Sequence, residues 1–532
     1  MAPTHEIKLS SFPSKSTIAP KPSQASIVDP VIADKPDDEQ RVSEGESQEI
    51  SFNFDQPNKE NATVLVEPDP LDDEWLTDTR NPRNWTNGKK WTMALIVALY
   101  TFISPVSSSM MSPLLPEIAL HFDIRSSTVI SLTLSIFLLA YALGPLVLGP
   151  LSEIYGRTWV LHLSNIFSLA FSLGCAYAPN TTSLIVFRFF SGIGGSAPVT
   201  IGAGSISDLW NERERASAMA LYSLGPLLGP SLGTVAGGFI GEKIGYRWIF
   251  LIIAILSGLS AVLGITFLRE TYGPVIQLRI ARRAAADKEK LSPSQRLILE
   301  SQPSVKDILW INLSRPMALL FQSFICFILS LYMALLYGYY YLMFATFPTL
   351  FQDTYKFSTG IAGLAYLGPG VGCILSTFYN SLIAEKIYNK LADKNGGVGK
   401  PEYRMPAFIF ASPLVPIGLF WYGWSAQEQL HFMMPIVGAG IFGFGLMCTY
   451  LPISLYLVDA FKYAASAIAA ATVFRSLLGF AFPLFGAQMF KAMGNGGGYS
   501  FLAGLAIITG IPFPIWIYYR GEKIRARSNL TR

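Results

Sequence analysis

The stretch Gly149-Pro150-Leu151-Ser152-Glu153-Ile154-Tyr155-Gly156-Arg157 decides how the rest of the chain is interpreted. It is a short polar break between two apolar runs, 127–148 and 159–178. Each run is about 20 residues long, enough for a helix to cross roughly 30 Å of hydrocarbon. The stretch therefore predicts a tight turn at Gly156 between two membrane-spanning helices, with Arg157 at the edge of the membrane.

The composition of the whole chain agrees with a membrane protein. Of its 532 residues, 51% are hydrophobic and 14% are charged, whereas about 25% of the residues of a soluble domain are charged. The formal net charge of +4 is small for this length and predicts no nucleic-acid partner. The four cysteines lie in apolar runs without metal-ligand spacing, which predicts buried thiols and no metal site. They are Cys175, Cys326, Cys373 and Cys448.

Twelve apolar runs are long enough to span a membrane. We predict them at 91–111, 127–148, 159–178, 183–207, 216–240, 248–268, 321–351, 360–383, 405–424, 431–458, 464–490 and 499–519. A polar segment separates the first six from the last six, which is the layout of a duplicated bundle with a binding site between its halves. The sequence therefore predicts an all-α membrane protein, with twelve transmembrane helices in two pseudo-symmetric six-helix bundles around a central cavity.

These spans divide the chain into five predicted parts. Residues 1–90 form a disordered cytoplasmic tail, because 1–79 are rich in Ser, Pro, Asp and Glu and contain no long apolar run. The N-terminal half covers 91–268, and a cytoplasmic linker covers 269–315. The C-terminal half covers 316–520, and residues 521–532 form a second cytoplasmic tail. The seventh span is long for one crossing, so we expect it to enter along the surface from Pro316.

Basic residues lie mainly on one side of the predicted bundle. That side holds Arg80, Arg83, Lys89, Lys90, Arg157, Arg213, Arg215, Arg279, Arg282, Arg283, Lys288, Lys290, Lys386, Lys390, Lys394, Lys400, Arg404, Arg520, Lys523, Arg525 and Arg527. The other side holds only Arg125, Lys243, Arg247, Lys356 and Lys491. The positive-inside bias predicts that both termini and the linker are cytoplasmic.

The loop at 149–157 resembles the loop motif of the major facilitator superfamily, in which a glycine, a small residue and an acid precede Gly-Arg. The resemblance implies a conformational latch formed by Glu153, Gly156 and Arg157, with Asp208 at the end of the fourth span as its partner. Glu153 stands where many relatives have Asp, and no second basic residue follows Arg157. The alternative is a plain short turn that carries a cytoplasmic arginine.

Charged residues in or beside the spans are candidates for proton coupling. Arg188 resembles the coupling arginine of the fourth-span motif in the same superfamily; alternatively, its side chain reaches the outer interface. Arg475 lies within the eleventh span, Asp459 just before it, and Glu117 near the outer end of the first span. None of the acids is clearly buried in the middle of a span, so the proton carrier is not identified.

The fifth span is rich in glycine and proline. Gly225, Gly229 and Gly233 recur every four residues and share one helix face, which allows another helix to approach closely. Pro226 and Pro230 each remove a backbone hydrogen bond and favour a bend. The pattern resembles the antiporter motif of drug:proton exchangers, although Thr234 stands where many relatives have glycine. It implies export; the alternative is close packing alone.

Further segments resemble the fungal drug:proton antiporter branch, which exports drugs and secondary metabolites. They are Asn81-Pro82-Arg83-Asn84-Trp85, Glu270-Thr271-Tyr272, Pro401-Glu402-Tyr403-Arg404-Met405-Pro406 and Tyr456-Leu457-Val458-Asp459-Ala460-Phe461. The aromatic seventh span also fits. Its candidates for lining the cavity are Tyr332, Tyr337, Tyr340 and Phe344, with helix packing as the alternative.

Together these features predict a monomeric, proton-coupled exporter of small organic molecules in the plasma membrane. It would use the proton gradient and no cofactor. The alternative within the superfamily is a polyamine, nutrient or metabolite transporter. An enzyme is disfavoured, since no nucleophile–base or metal constellation accompanies the four histidines. Asn180 is a possible glycosylation site, because its sequon lies on the predicted outer side.

Overall fold

The computed structural model describes residues 73–211, 214–287, 293–300, 304–526 and 530–531. Most of the predicted N-terminal tail therefore lies outside the described residues, as do the predicted cytoplasmic residues Arg213, Lys288, Lys290 and Arg527. Every long element within the described ranges is helical, and the β-structure there is one isolated bridge between Phe461 and Thr531. This confirms the all-α class.

Among the described residues, the first half has six long α-helices and two short ones. They are α1 (Asp73–Thr77), α2 (Asn87–Ser109), α3 (Leu115–His121), α4 (Ser127–Tyr155), α5 (Arg157–Ala176), α6 (Thr181–Leu209), α7 (Ala216–Ile244) and α8 (Tyr246–Phe267). Order begins earlier than the sequence predicts, because α1 and the start of α2 lie within 1–90. Between them, the Asn84 side-chain amide donates to the carbonyls of Leu76 and Asp78 and closes a compact turn.

Helices of the linker follow, and then those of the second half. They are α9 (Gly273–Ala286), α10 (Pro293–Glu300), α11 (Val305–Gln322), α12 (Phe324–Pro348), α13 (Thr359–Leu364), α14 (Leu367–Tyr379), α15 (Glu385–Lys394), α16 (Met405–Ala411), α17 (Leu414–Gln427), α18 (Met433–Ala460), α19 (Ala464–Gly510) and α20 (Pro512–Arg525). The linker is more ordered than its polar composition suggests, since Val275, Leu278 and Ala281 form a buried face on α9. The seventh span is preceded by a separate helix, α11, which begins at Val305 and contains Pro316; that it runs along the membrane surface stays a prediction.

Two features reconcile the helices with the predicted twelve spans. Ten helical segments among the described residues are long and apolar enough to cross a membrane. One of them, Ala464–Arg525, contains two passes, because Gly494 breaks the helix at φ 69° and the rings of Phe490 and Tyr499 stack across the turn at 4.7 Å. Helix α7 has 29 residues but is less apolar, since it is rich in glycine, proline and serine. Counting the two passes separately and adding α7 gives the twelve predicted spans.

The two halves pack against each other along α4 and α19, which run in opposite directions. Thr128 of α4 contacts Gln488 of α19 through a hydrogen bond of 3.0 Å. Further along, Leu146 packs on Val473. This seam places the middle of α4 and the middle of the first pass of α19, before Gly494, at the interface between the halves.

Candidate functional site

Two faces of the bundle are distinguished by their charge. We call the face at which α2 begins and α4 ends the basic face, because Lys89, Arg157, Arg404 and Arg525 lie there. The other side, where α2 ends and α7 ends, is the opposite face.

The predicted turn at Gly156 is built around a carboxylate from a distant part of the chain. Gly156 has φ 102° and ψ 151°, a conformation that is essentially restricted to glycine. A Cβ there would also overlap the carboxylate of Glu270. That carboxylate accepts hydrogen bonds from the backbone N–H groups of Arg157 at 2.9 Å and Thr158 at 3.4 Å. Glu270 thus caps the start of α5, where an acid is favoured by the helix dipole.

Arg157 joins the turn to the end of α6. Its Nε lies 3.4 Å from an Oδ2 of Asp208, and its Nη1 donates to the Ser152 hydroxyl at 2.8 Å. Glu153 is more distant, at 4.0 Å. The guanidinium also lies 4.7 Å from the ring centre of Tyr272, whose pKa is raised to about 12 by burial and by the nearby carboxylates. The structure therefore brings together Glu153, Gly156, Arg157 and Asp208, with Asp208 as the main partner; their role as a latch stays a prediction.

The second half contains a matching arrangement that the sequence analysis did not identify. Nε of Arg404, just before α16, lies 3.1 Å from Oδ2 of Asp459 at the end of α18. The Arg404 guanidinium also lies 4.1 Å from the ring centre of Tyr388. Each half thus has an arginine at the start of its third span, paired with an aspartate at the end of its fourth and covered by a tyrosine.

A second ion pair fixes the end of the last helix. Arg525 donates from Nε and Nη2 to the two oxygens of Glu402, at 2.8 and 2.9 Å. Both side chains are largely buried, with 10% and 5% of their surfaces exposed. Glu402 lies in a segment quoted above for its resemblance, but nothing local in the sequence indicates a partner more than a hundred residues away.

The ion pairs of the basic face stay within one half each. Between described residues, no hydrogen bond or ion pair at this face joins the two halves. The pairs therefore hold the helices of each half together and do not tie the two halves to each other at this face.

Hydrogen bonds between the halves lie toward the opposite face. The carboxylate of Glu242, near the end of α7, accepts from the backbone N–H of Gly360 and from the Ser358 hydroxyl at 3.0 Å. Further bonds join Ser108 to Tyr341, Ser112 to Phe344 and Tyr366, Gln352 to Pro113, and Gln488 to Thr128. The structure therefore shows a conformation that is fastened at the opposite face.

The glycines of α7 allow close contact, as their spacing predicts. A Cβ at Gly229 would stand 2.9 Å from the Pro105 side chain, and one at Gly225 would stand 3.0 Å from the backbone of Phe102. A Cβ at Gly233 would come equally close to Val106. Helix α7 therefore lies directly against α2. It continues as one helix through Pro226 and Pro230.

Nearer its C-terminal end, α7 contacts the second half. A Cβ at Gly238 would stand 2.8 Å from the backbone oxygen of Thr359 and 3.3 Å from the Cα atoms of Gly360 and Gly363. The fastening at the opposite face therefore includes direct backbone contact between the halves.

Arg188 is fully buried, with 1% of its surface exposed. The alternative that it reaches the interface is therefore wrong. Its Nη1 and Nη2 donate to the carbonyls of Ser107 and Ser108 at 2.7 and 3.0 Å, and its Nε donates to Thr133 at 3.4 Å. Because the first two carbonyls belong to the last turn of α2, the guanidinium caps the end of that helix.

Two other predicted residues lie at helix starts. Glu117 accepts a hydrogen bond from the backbone N–H of Tyr246, the first residue of α8, at 3.3 Å. Asn180 is exposed and accepts one from Ser183 at the start of α6, at 2.8 Å. Glu117, Arg188, Asp459 and Arg475 thus lie in four separate places, and Asp459 is paired with Arg404.

The aromatic residues of α12 divide into two groups. Tyr332 packs against Phe408, and Phe344 packs between Tyr340 and Tyr366, so these rings lie in the core of the second half. Tyr337 instead keeps part of its surface exposed. The Arg475 guanidinium lies 5.0 Å from its ring centre and 5.4 Å from that of Tyr450 on α18. Of the four cavity candidates, Tyr337 is therefore the one beside a charged group.

Two helical halves, joined along a seam and fastened toward one face, define a multi-pass membrane transporter. The sequence model of the Major Facilitator Superfamily matches residues 97–483. The chain belongs to this superfamily, a family of transporters rather than enzymes, as predicted.

Similar proteins come from fungi. The chain is 42% identical to the MFS-type transporter penM of Penicillium rubens over 87% of its length and 90% of that protein. It is 40% identical to the efflux pump radE of Floropilus chiversii, over 86% and 85% of the two chains. It is 41% identical to the efflux pump vrtL of Penicillium aethiopicum, over 85% and 89%.

Solved structures share the fold. A D-xylose-proton symporter has a TM-score of 0.60 at 15% identity, over 80% of this chain and 98% of that chain. The xylose transporter XylE of E. coli has a TM-score of 0.58 at 14% identity, over 81% and 99%.

Proposed function

We propose that this transporter exports small organic molecules from the cytoplasm across the plasma membrane, driven by the proton gradient and without a bound cofactor. The basic face is then cytoplasmic, together with both termini, in agreement with the positive-inside bias. The protein works as a monomer. The names of radE and vrtL, both efflux pumps, support the direction of transport.

The observation that carries the proposal is the unequal connection between the halves. At the opposite face they share hydrogen bonds and backbone contacts, and at the basic face their ion pairs stay within each half. A transporter that alternates between two open states needs such an arrangement, because one face must separate while the other stays closed.

The ion pairs keep each half rigid during this cycle. Arg157–Asp208 and Arg404–Asp459 each tie the third span of a half to its fourth, so each half moves as a unit. The backbone contact of Gly238 with Gly360 and Gly363 provides a surface on which the two halves shift with few interlocking side chains. In the export direction, a cytosolic substrate enters from the basic face, and a proton from outside drives the return.

The test is growth of a susceptible host that expresses the protein, across a panel of toxic organic compounds, with and without a proton uncoupler. We expect protection against at least one compound, and we expect the uncoupler to abolish it. Protection that persists under the uncoupler would contradict proton coupling. Increased sensitivity to a compound would contradict export, since it would indicate uptake.

Glycosylation at Asn180 stays a prediction. The residue is exposed, but its side chain already caps α6 and it lies next to a predicted span. Digestion with an endoglycosidase followed by electrophoresis tests it, since a glycosylated protein would lose mass.

A further inference from the structure

An arginine lies at mid-depth in the seam between the two halves. Arg475 lies about 17 Å along α19 from the first residue of that helix, at 1.5 Å per residue. Tyr141 is at the midpoint of α4, and Tyr337 is one residue from the midpoint of α12. One helical turn beyond Arg475, a Cβ at Gly479 would stand 2.9 Å from the Tyr337 ring and 3.2 Å from the Leu138 side chain of α4. The helix face that carries Arg475 therefore lies at the seam, against α12 of its own half and α4 of the other.

The guanidinium of Arg475 is poorly satisfied. Nη1 donates to the Tyr450 hydroxyl, and this is its one hydrogen bond to the described residues. Nε is buried and has no hydrogen-bond partner. Among the described residues, no Asp or Glu lies within ion-pair distance of it. The side chain is not completely covered, so part of it remains open to an incoming group.

Arg188 shows how this fold satisfies a buried arginine that has a structural role. All three of its nitrogens donate to backbone carbonyls, and 1% of its surface is exposed. Arg475 has none of these carbonyl contacts. A cation within a membrane span is costly and is normally paired with an anion. No Asp or Glu among the described residues provides that anion for the free donors of Arg475.

We propose that Arg475 is the recognition site for an anionic group of the transported substrate. The inference rests on the proposed function and specifies its substrate class: organic acids that carry an ionised carboxylate, enolate or phenolate next to a planar ring. The guanidinium binds the oxygen anion by charge-assisted hydrogen bonds, and the rings of Tyr337 and Tyr450 contact the planar part.

The position of the site couples binding to transport. The cluster contains Tyr337, Tyr450 and Arg475 from the second half, and it lies one helical turn from the point where Gly479 meets Leu138 of the first half. A ligand held there contacts both halves, and its affinity therefore differs between conformations in which they are arranged differently. A cationic substrate such as a polyamine is disfavoured at this point, because it would meet a like charge.

The experiment compares an acid with its uncharged analogue on the purified full-length protein in detergent at neutral pH. The probes are 2-naphthoate and 2-naphthamide, which share a ring and differ in charge, and spermidine serves as a cationic probe. Dissociation constants are measured by intrinsic fluorescence for the parent, for Arg475→Gln and for Arg475→Lys. Arg125→Gln is the matched control, because it removes the same charge from a side chain that is 88% exposed at the opposite face.

We expect the parent and Arg125→Gln to bind naphthoate about tenfold or more tightly than naphthamide, the range expected for hydrogen bonds to a charged group. Arg475→Gln should bring the ratio of the naphthamide to the naphthoate dissociation constant close to one, with little change in the affinity for naphthamide. Arg475→Lys should retain part of the preference for naphthoate. A ratio near one in the parent, an unchanged ratio in Arg475→Gln, or tighter binding of spermidine would overturn the proposal. If Arg475→Gln does not fold, the ratios of dissociation constants for the parent and for Arg475→Lys still test the proposal.

The binding ratio needs no proton gradient, so its outcome is separate from that of the growth assay. Protection insensitive to an uncoupler would overturn proton-coupled export and leave the anion preference intact. An absent preference would overturn the role of Arg475 and leave export intact.

Discussion

Replacing Gly238 with valine should weaken the fastening at the opposite face. A Cβ at this position would stand 2.8 Å from the backbone oxygen of Thr359, whereas ordinary contacts begin at 3.4 Å. The two backbones must therefore separate by about 0.6 Å for the Cβ alone, and by more for the two methyl groups of valine. The atoms that the new side chain would meet belong to the backbones of Thr359, Gly360 and Gly363 and not to flexible side chains. The clash is therefore relieved mainly by moving the halves apart.

The expected size of the effect follows from the cost of overpacking. Inserting methyl groups into a packed contact typically costs about 1–3 kcal/mol. This cost applies only to the conformation closed at the opposite face. It therefore raises the population open at that face, relative to the closed one, by about 5- to 150-fold.

The assay is a distance measurement between spin labels on the two halves. Cysteines introduced at Arg125 and Glu428 are exposed at the opposite face, whereas the four native cysteines are buried. Gly504→Val is the matched control, since a Cβ there would meet nothing within 4 Å. We expect Gly238→Val to add or enlarge a long-distance population that the parent and Gly504→Val lack.

An unchanged distance distribution in folded Gly238→Val would refute the reasoning. It would mean that the contact between α7 and α13 is not part of a gate. A short-distance shift would refute it equally, because the added volume cannot bring the halves closer.

Three further changes test the other contacts. Gly156→Ala should destabilise the protein by about 2 kcal/mol or more, because alanine strains this conformation and displaces the Glu270 carboxylate; thermal unfolding in detergent measures it. Arg404→Asp and Asp459→Arg should each reduce export and thermal stability, and the double exchange should recover part of both, since it restores the ion pair. Arg188→Gln should lower the free energy of unfolding by about 3 kcal/mol or more, because it removes charge-assisted bonds to three carbonyls.

Each of these has a control and a contradicting result. For Gly156→Ala the control is Gly88→Ala, where a Cβ meets nothing within 4 Å; equal stability of the two variants would contradict the strain. A double exchange no better than either single change would show that Arg404 and Asp459 do not act as a pair. Arg188→Gln protein with normal stability and uncoupled export would instead favour the coupling role.

Local sequence was sufficient for the spans and for several contacts. Apolar length located the twelve crossings, and the four-residue spacing of glycines predicted the face of α7 that lies on α2. The turn at Gly156 was also predicted, and so was the pairing of Arg157 with Asp208, which the resemblance to the loop motif implies.

The remaining contacts depend on how distant segments meet. Glu270 caps a helix that begins 113 residues earlier, and Arg404 reaches Asp459 across 55 residues. Asp459 and Arg475 were both named as charged candidates, but their partners could not be predicted: Asp459 pairs with Arg404, and Arg475 donates to the Tyr450 hydroxyl. The sequence left open whether Arg188 is buried or reaches the interface, because its carbonyl partners become available only where α2 ends.

The central claim is proton-coupled export, and the efflux rate tests it most directly. Cells that express the protein are loaded with a compound against which it protects, and efflux is followed with and without an uncoupler. The proposed function predicts efflux faster than in cells without the protein, falling to their level when the proton gradient is collapsed. Efflux that continues at the same rate without a gradient, or net accumulation of the compound, would contradict it.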